Sequence, residues 1–142
     1  MSDAATALGA AVAWLWLGMV LAISFLEAPL KFRAPGLELR VGLAIGRLVF
    51  RALNTVEAVL AVVTVLALVL GTPGPVAVVG GVVSVVVLGV QLAVVRPRLA
   101  RRSDRVLAGD DGPRSHAHFW YVGFEIVKVA ALVVLGVTLL AR

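Results

Sequence analysis

The stretch "ALNTVEAVLAVVTVLALVLGTPGPVAVVGGVVSVVVLGVQLAVV", residues 52–95, decides the fold because it holds two long apolar runs around a short turn. The runs on either side of "GTPGP" contain one charged residue, Glu57. Each run has about 20 residues, the length at which a helix crosses the hydrocarbon core of a bilayer. Glycine and proline in the turn reverse the chain within a few residues. The stretch therefore predicts an antiparallel pair of membrane-spanning helices.

Two further apolar runs lie outside this hairpin, at residues 4–26 and 119–141. The whole chain of 142 residues is 61% hydrophobic and 15% charged, against roughly 45–50% and about 25% in soluble domains. With spans at about 4–26, 52–70, 76–95 and 119–141, we predict an all-α polytopic membrane protein. Residues 1–142 form a single integral membrane domain, an antiparallel bundle of four transmembrane helices.

The positive charge of the chain is concentrated in two connections. Nearly all of the 13 lysine and arginine residues lie in segments 31–51 and 96–118, which a four-span topology places on the same side. The positive-inside bias predicts that both are cytoplasmic loops and that both termini lie outside, in a bacterial cytoplasmic (inner) membrane. The expected partners of these loops are anionic lipid headgroups, not nucleic acid. Because the chain has no cysteine, thiolate metal sites and disulfides are excluded.

The segment Gly36–Phe50 allows two interpretations. Leucines, isoleucine and two arginines at helical spacing are typical of an amphipathic helix on the membrane surface. Alternatively, the second membrane helix begins near Gly42, and Gly42 and Gly46 form a GxxxG pattern for close helix packing. Just before this segment, Pro29 is expected to end the first helix.

Each predicted span carries a long polar side chain near the basic end: Glu27, Glu57, Gln91 and Glu125. Polar residues inside a membrane usually face the bundle interior and find partners there. Asn54, Tyr121 and Lys128 lie one helical turn from Glu57 or Glu125, and Arg47 and His118 lie nearer the cytoplasm. We predict a polar pocket open to the cytoplasm, with ligand-binding residues Glu27, Arg47, Asn54, Glu57, Gln91, Tyr121, Glu125 and Lys128.

A purely structural interpretation remains open for part of this set. Glu125 and Lys128 are three residues apart on one helix and are able to form a local ion pair. Glu27 has Lys31 and Arg33 close by in sequence. In that case the acids would stabilise individual helices and would not share a site.

Three functions fit the pattern. The first is binding or transport of an ion or a small polar or cationic molecule by a homodimer, since clustered carboxylates suit cations and protons. The second is a metal-dependent membrane enzyme or metal-binding protein, with iron, manganese or zinc held by Glu27, Glu57, His118 and Glu125. The third is a structural or assembly partner without a ligand. Nucleotide-binding loops, nucleophile elbows and zincin helices are absent from the sequence, so soluble-enzyme chemistry has no support.

Two stretches resemble a known family. "APLKFRAPGLELRVGLAIGRLVFRALN" (Ala28–Asn54) and "HFWYVGFEIVKVAALVVLG" (His118–Gly136) are similar to regions of the TMEM205-like (DUF4149) small four-helix bacterial membrane proteins. The resemblance covers about a third of the chain. It implies a four-helix integral membrane architecture and supplies no catalytic residues.

Overall fold

Four long helices make up the protein in a computed structural model that describes residues 2–109 and 116–142. The helical segments in chain order are α1 (Ser2–Val20), π1 (Leu21–Glu27), α2 (Ala28–Lys31), α3 (Leu39–Leu70), α4 (Pro75–Val90), π2 (Gln91–Val95), α5 (Arg96–Leu107) and α6 (His116–Leu140). Segments π1 and π2 are π-helical and continue into their neighbours. The membrane-crossing lengths are span 1 (Asp3–Lys31), span 2 (Leu39–Leu70), span 3 (Pro75–Leu107) and span 4 (Phe119–Leu140).

The four spans form an antiparallel ring. The most extensive contacts join α4 to α6, α1 to α6 and α1 to α3, and α3 also contacts α4. Each span thus packs against its neighbour in the chain, and spans 1 and 4 close the ring. The predicted all-α fold with four apolar, membrane-spanning helices is confirmed.

The interior of the ring is mostly apolar. Trp16, Leu132 and Leu135 are fully buried, and they pack with small residues of spans 1 and 2 such as Ala13 and Ala61. Large aliphatic side chains cover the outside; Val69, for example, is 73% exposed. In a soluble protein such an outer surface would drive association, whereas in a bilayer it contacts lipid tails.

Glycines bring span 3 close to both of its neighbours. A Cβ atom placed on Gly80 would lie 3.0 Å from the carbonyl oxygen of Ala131, on the backbone of α6. On Gly81 it would collide with the Leu68 side chain of α3, whereas Gly89 has open space around it. Small residues at helix contacts are how membrane helices pack without a hydrophobic driving force. Gly80 therefore allows α4 to lie close to α6, and Gly81 allows α4 to lie close to α3.

Span 2 is longer than the sequence indicated. Helix α3 begins at Leu39, not near residue 52, so much of the predicted loop 31–51 is helical. The physical reason is that no proline interrupts Leu39–Leu70, and the arginines of its first turns lie on a helix that extends beyond the apolar region. This outcome is close to the second interpretation, in which the helix begins near Gly42. Predicted loop 96–118 is also partly helical, since α5 continues span 3 to Leu107.

The GxxxG pattern packs against the end of span 1. A Cβ atom on Gly42 would come within 2.5 Å of the Phe32 ring, and one on Gly46 within 3.2 Å of Lys31 Nζ. The chain reverses between these segments at Gly36, whose φ of +77° is a conformation that favours glycine. The absence of side chains at Gly42 and Gly46 therefore lets the end of span 1 pack closely against α3.

A proline follows shortly after each π-helical segment. Pro29 lies two residues after π1 and Pro97 two residues after π2, each inside a helix that continues past it. Proline removes one helical hydrogen bond and its ring clashes with the carbonyl four residues earlier. A locally wider helix relieves that clash. The expectation that Pro29 ends the first helix is therefore wrong, because span 1 runs on to Lys31.

Candidate functional site: a buried carboxylate–lysine cluster

Lys128 lies at the centre of a polar cluster that joins three spans. Its Nζ atom is 3.0 Å from Glu57 Oε1 on span 2, 2.7 Å from Gln91 Oε1 on span 3 and 2.5 Å from Glu125 Oε1 on its own helix. An ammonium group has three donors. Two of the contacts, to Glu57 and Gln91, are hydrogen bonds, and the third is an ion pair with Glu125.

Gln91 closes the network. Its side-chain oxygen accepts from Lys128, and its Nε2 donates to Glu125 Oε1 at 2.8 Å. The amide therefore contacts the cation through one atom and a carboxylate through the other. The name "buried cluster" is used below for Glu57, Gln91, Glu125 and Lys128.

The buried cluster is closed to the outside. The exposed fractions of its four residues are 0–1%. The prediction was a polar pocket open to one side, whereas these side chains fill the space between the helices and bond to one another. Unpaired charges in a low-dielectric interior are costly. The stability of the buried cluster therefore depends on whether its charges balance.

Charge within the buried cluster is not balanced. Two carboxylates, Glu57 and Glu125, surround a single ammonium. With all three groups ionised the four residues carry one net negative charge, part of which the nearby Arg96 guanidinium offsets through its Coulomb attraction to both acids. A proton or another small cation bound to a carboxylate would make it neutral.

Two buried polar atoms beside the cluster lack hydrogen-bond partners in the described part of the chain. Glu125 Oε2 is one, and the indole Nε1 of Trp16 is the other. The indole lies next to the Glu57 carboxylate but outside hydrogen-bonding geometry. Buried polar atoms normally find a partner in the protein or in an ordered water. The second oxygen of Glu125 is thus the one carboxylate oxygen of the cluster without a hydrogen-bond partner in the described residues.

An aromatic–arginine layer covers the buried cluster at the arginine-rich end of the bundle, where α5 lies. The Arg96 guanidinium stacks 4.4 Å from the ring centre of Phe50 and 5.1 Å from that of Tyr121. The two rings meet edge to face, with centroids 5.7 Å apart. Tyr121 precedes Glu125 by four residues, about 6 Å along a helix. Arg96, Phe50 and Tyr121 therefore separate the cluster from the nearer membrane surface.

The other residues of the predicted pocket lie outside the buried cluster. Glu27 pairs with Lys31 at 3.4 Å, as the structural interpretation expected. Arg47 donates to Asp104 of α5 and, at 3.4 Å, to the carbonyl oxygen of Ala100. Asn54 is half-buried one turn before Glu57, and Tyr121 belongs to the aromatic–arginine layer. His118 belongs to α6, but its side chain lies outside the described residues.

The metal-binding alternative requires that the side chains lie close enough together to coordinate one ion. The predicted ligands are Glu27, Glu57, Glu125 and His118. Among residues 2–109 and the described side chains of 119–142, no group of three histidine, aspartate or glutamate side chains is placed to hold a metal ion. Glu57 and Glu125 share Lys128, and Glu27 is paired elsewhere. A resident ammonium between the two acids also disfavours a divalent cation there, because like charges repel at close range.

Two contacts were not predicted from the sequence: the stacking of Arg96 on Phe50 and Tyr121, and the ion pair between Lys128 and Glu57. Arg96 was counted with the loop charges that set topology, although it lies between two aromatic rings of other spans. The available signal was its position five residues after Gln91, in the same span, which places it within the membrane-crossing helix. A local pair of Lys128 with Glu125 was the structural alternative, and it forms; the direct contact of Lys128 with Glu57 depends on how spans 2 and 4 pack.

No family model, no curated protein and no solved structure matches the chain. The resemblance to the TMEM205-like family therefore stays a prediction.

Proposed function

We propose that this membrane protein binds and transports a small cation, with the buried cluster as its binding site and the proton as the smallest cargo. The observation that carries the proposal is the pair of buried carboxylates around one ammonium, with Glu125 Oε2 left without a partner. A net charge held inside a bundle is costly unless something compensates it. A cation at Glu125 completes the compensation that Lys128 provides by direct contact and Arg96 provides at longer range.

The surroundings of the site support exchange of a bound cation. Gln91 begins the π-helical segment π2, and π-helical turns within α-helices are frequent at functional sites. Lys128 contacts both acids, so a cation arriving at Glu125 competes with the ammonium, which keeps Glu57 as its partner. Release toward the arginine-rich end requires the aromatic–arginine layer to move.

Replacing Glu125 by glutamine tests this function. In proteoliposomes that contain a pH-sensitive dye and carry an imposed membrane potential, the wild-type protein should admit protons faster than empty vesicles do. Glu125→Gln should reduce that flux at least about a hundredfold, the lower end of the contribution of a side chain that transfers protons. The matched control is Glu27→Gln, the same chemical change outside the buried cluster.

Equal flux through the wild type, Glu125→Gln and Glu27→Gln would contradict transport through the cluster. The second candidate function, an assembly or scaffold protein without a ligand, would then be favoured. One observation supports it: three acceptor oxygens already lie within 3.0 Å of Lys128 Nζ. A scaffold role predicts that Glu125→Gln changes stability or complex formation only.

We further propose that the chain lies in a bacterial inner membrane with both termini outside. The arginine-rich end supports this orientation through the positive-inside bias. Because the chain has no cysteine, single cysteines report topology without background. In intact cells, Thr72→Cys should react with a membrane-impermeant maleimide, and Ser103→Cys should react only after lysis. The reverse pattern of labelling would invert the orientation.

A further inference from the structure

A groove on the outer surface of the bundle runs between spans 3 and 4. It has a volume of about 180 Å³ and is lined by Val90, Val94, Val95, Arg98, Trp120 and Phe124. Val94 is 44% exposed and Trp120 is 63% exposed, so the groove opens away from the buried cluster. None of these lining residues belongs to the buried cluster.

The groove changes from apolar to cationic along its length. Val90, Val94 and Arg98 follow one another at four-residue steps on span 3, which places Arg98 about 12 Å from Val90 along the helix. Span 4 runs antiparallel, so Trp120 lies toward the Arg98 end and Phe124 toward the valines. Their rings are 6.1 Å apart. The groove therefore has aliphatic and aromatic walls, with the Arg98 guanidinium at one end.

The charge at this end is available to a ligand. Within the described residues, Arg98 has no carboxylate partner. Arg101 and Arg105 follow it at spacings of three and seven on α5, and all three side chains are exposed. Residues at these spacings share one helix face. The rim of the groove therefore attracts an anion and repels a like copy of the same surface.

We propose that this groove binds one anionic phospholipid, with an acyl chain along Val90, Val94 and Phe124 and the phosphate at Arg98. The order of polarity in the groove matches that of a lipid, with its apolar portion toward the bilayer centre and its charge at the surface. Tryptophan is enriched at the level of lipid headgroups. Basic sites between membrane helices are also where acidic headgroups are commonly held.

Lipid binding to the purified full chain tests the proposal. Native mass spectrometry in detergent, with phosphatidylglycerol or phosphatidylcholine added, should show one tightly bound phosphatidylglycerol and weaker phosphatidylcholine. Arg98→Gln should weaken phosphatidylglycerol binding about fivefold, the effect of about 1 kcal/mol for one basic residue near an anionic headgroup. Arg33→Gln, an exposed arginine outside the groove, should leave that binding unchanged.

A second variant fills the groove without removing charge. Val94→Trp should abolish the tightly bound lipid while Arg98 stays in place. Equal loss from Arg98→Gln and Arg33→Gln would overturn the proposal, because attraction would then be unspecific. Equal binding of the two lipids would overturn it as well. If Val94→Trp only converted a dimer to a monomer, a second copy would be the occupant and the lipid proposal would fail.

Discussion

Replacing Lys128 by methionine is expected to destabilise the folded bundle by about 3–5 kcal/mol, the cost of removing one partner from a buried ion pair. Methionine is unbranched and replaces most of the apolar stem of lysine, so little packing is lost. The ammonium, however, is the shared partner of Glu57 and Glu125, both of which are 1% exposed. Its loss leaves two carboxylates facing each other without a cation. Reversible unfolding in mixed micelles, followed by circular dichroism, measures the change.

The acids should behave differently from the lysine. Glu57→Gln or Glu125→Gln leaves one carboxylate paired with Lys128, so the cluster becomes neutral. Each should cost clearly less than Lys128→Met. Lys31→Met is the control, because its partner Glu27 is one-third exposed and water can solvate that carboxylate once the ammonium is gone, so the loss should be well below that of a fully buried pair. A Lys128→Met variant as stable as Lys31→Met would mean that the cluster is not assembled as described.

Replacing Gly80 by leucine is the second large effect, with an expected loss of about 3 kcal/mol, at the upper end of the usual cost of overpacking a core. The first added carbon already meets the Ala131 carbonyl oxygen at 3.0 Å and the Leu135 backbone nitrogen at 3.2 Å. Both atoms belong to the backbone of α6 and have no rotamer by which to move aside. Spans 3 and 4 would have to separate, which would also pull Gln91 away from Glu125.

The matched control is Gly89→Leu, in the same helix. Nothing lies within 4 Å of a Cβ atom there, and the position is exposed. Leucine has the higher helix propensity, so this variant should be neutral or more stable by up to about 1 kcal/mol. Thermal unfolding of both variants in the same detergent gives the comparison. Equal melting temperatures for the two variants would contradict the close approach of α4 and α6.

The number of spans and the antiparallel order could be predicted from the sequence because each follows from local features. Apolar runs of membrane-crossing length and the short turn at Gly71–Gly74 are enough to define four alternating helices. Helix ends were less predictable. Charged residues at the start of α3 and around α5 resemble a loop in composition, yet they lie on helices that project past the apolar core.

The candidate site was predicted in part. Glu57, Gln91, Glu125 and Lys128 were all expected at one level, since depth follows from residue counting along helices. Which of them touch depends on the rotation of each helix about its axis, and packing of the whole bundle sets that rotation. For this reason the sequence did not distinguish Glu27, which faces Lys31, from Glu57, which faces Lys128. The closed form of the cluster depends on the same packing.

The Phe50–Arg96–Tyr121 layer shows a different limit. Its members come from three spans and have no shared sequence pattern, so only their contacts reveal them. An arginine that stacks between two rings gains cation–π attraction and loses part of its hydration. Arg96 thus ties spans 2, 3 and 4 together one level outside the buried cluster.

The most direct measurement is a double-mutant cycle between Glu57 on span 2 and Lys128 on span 4. The free energies of unfolding of the wild type, Glu57→Gln, Lys128→Met and the double variant give the coupling between the two side chains. Direct contact, at 3.0 Å, predicts a coupling of about 1–3 kcal/mol, with the double variant more stable than additivity would give. Additivity within about 0.5 kcal/mol is what distant, independent residues show, and it would contradict the buried cluster.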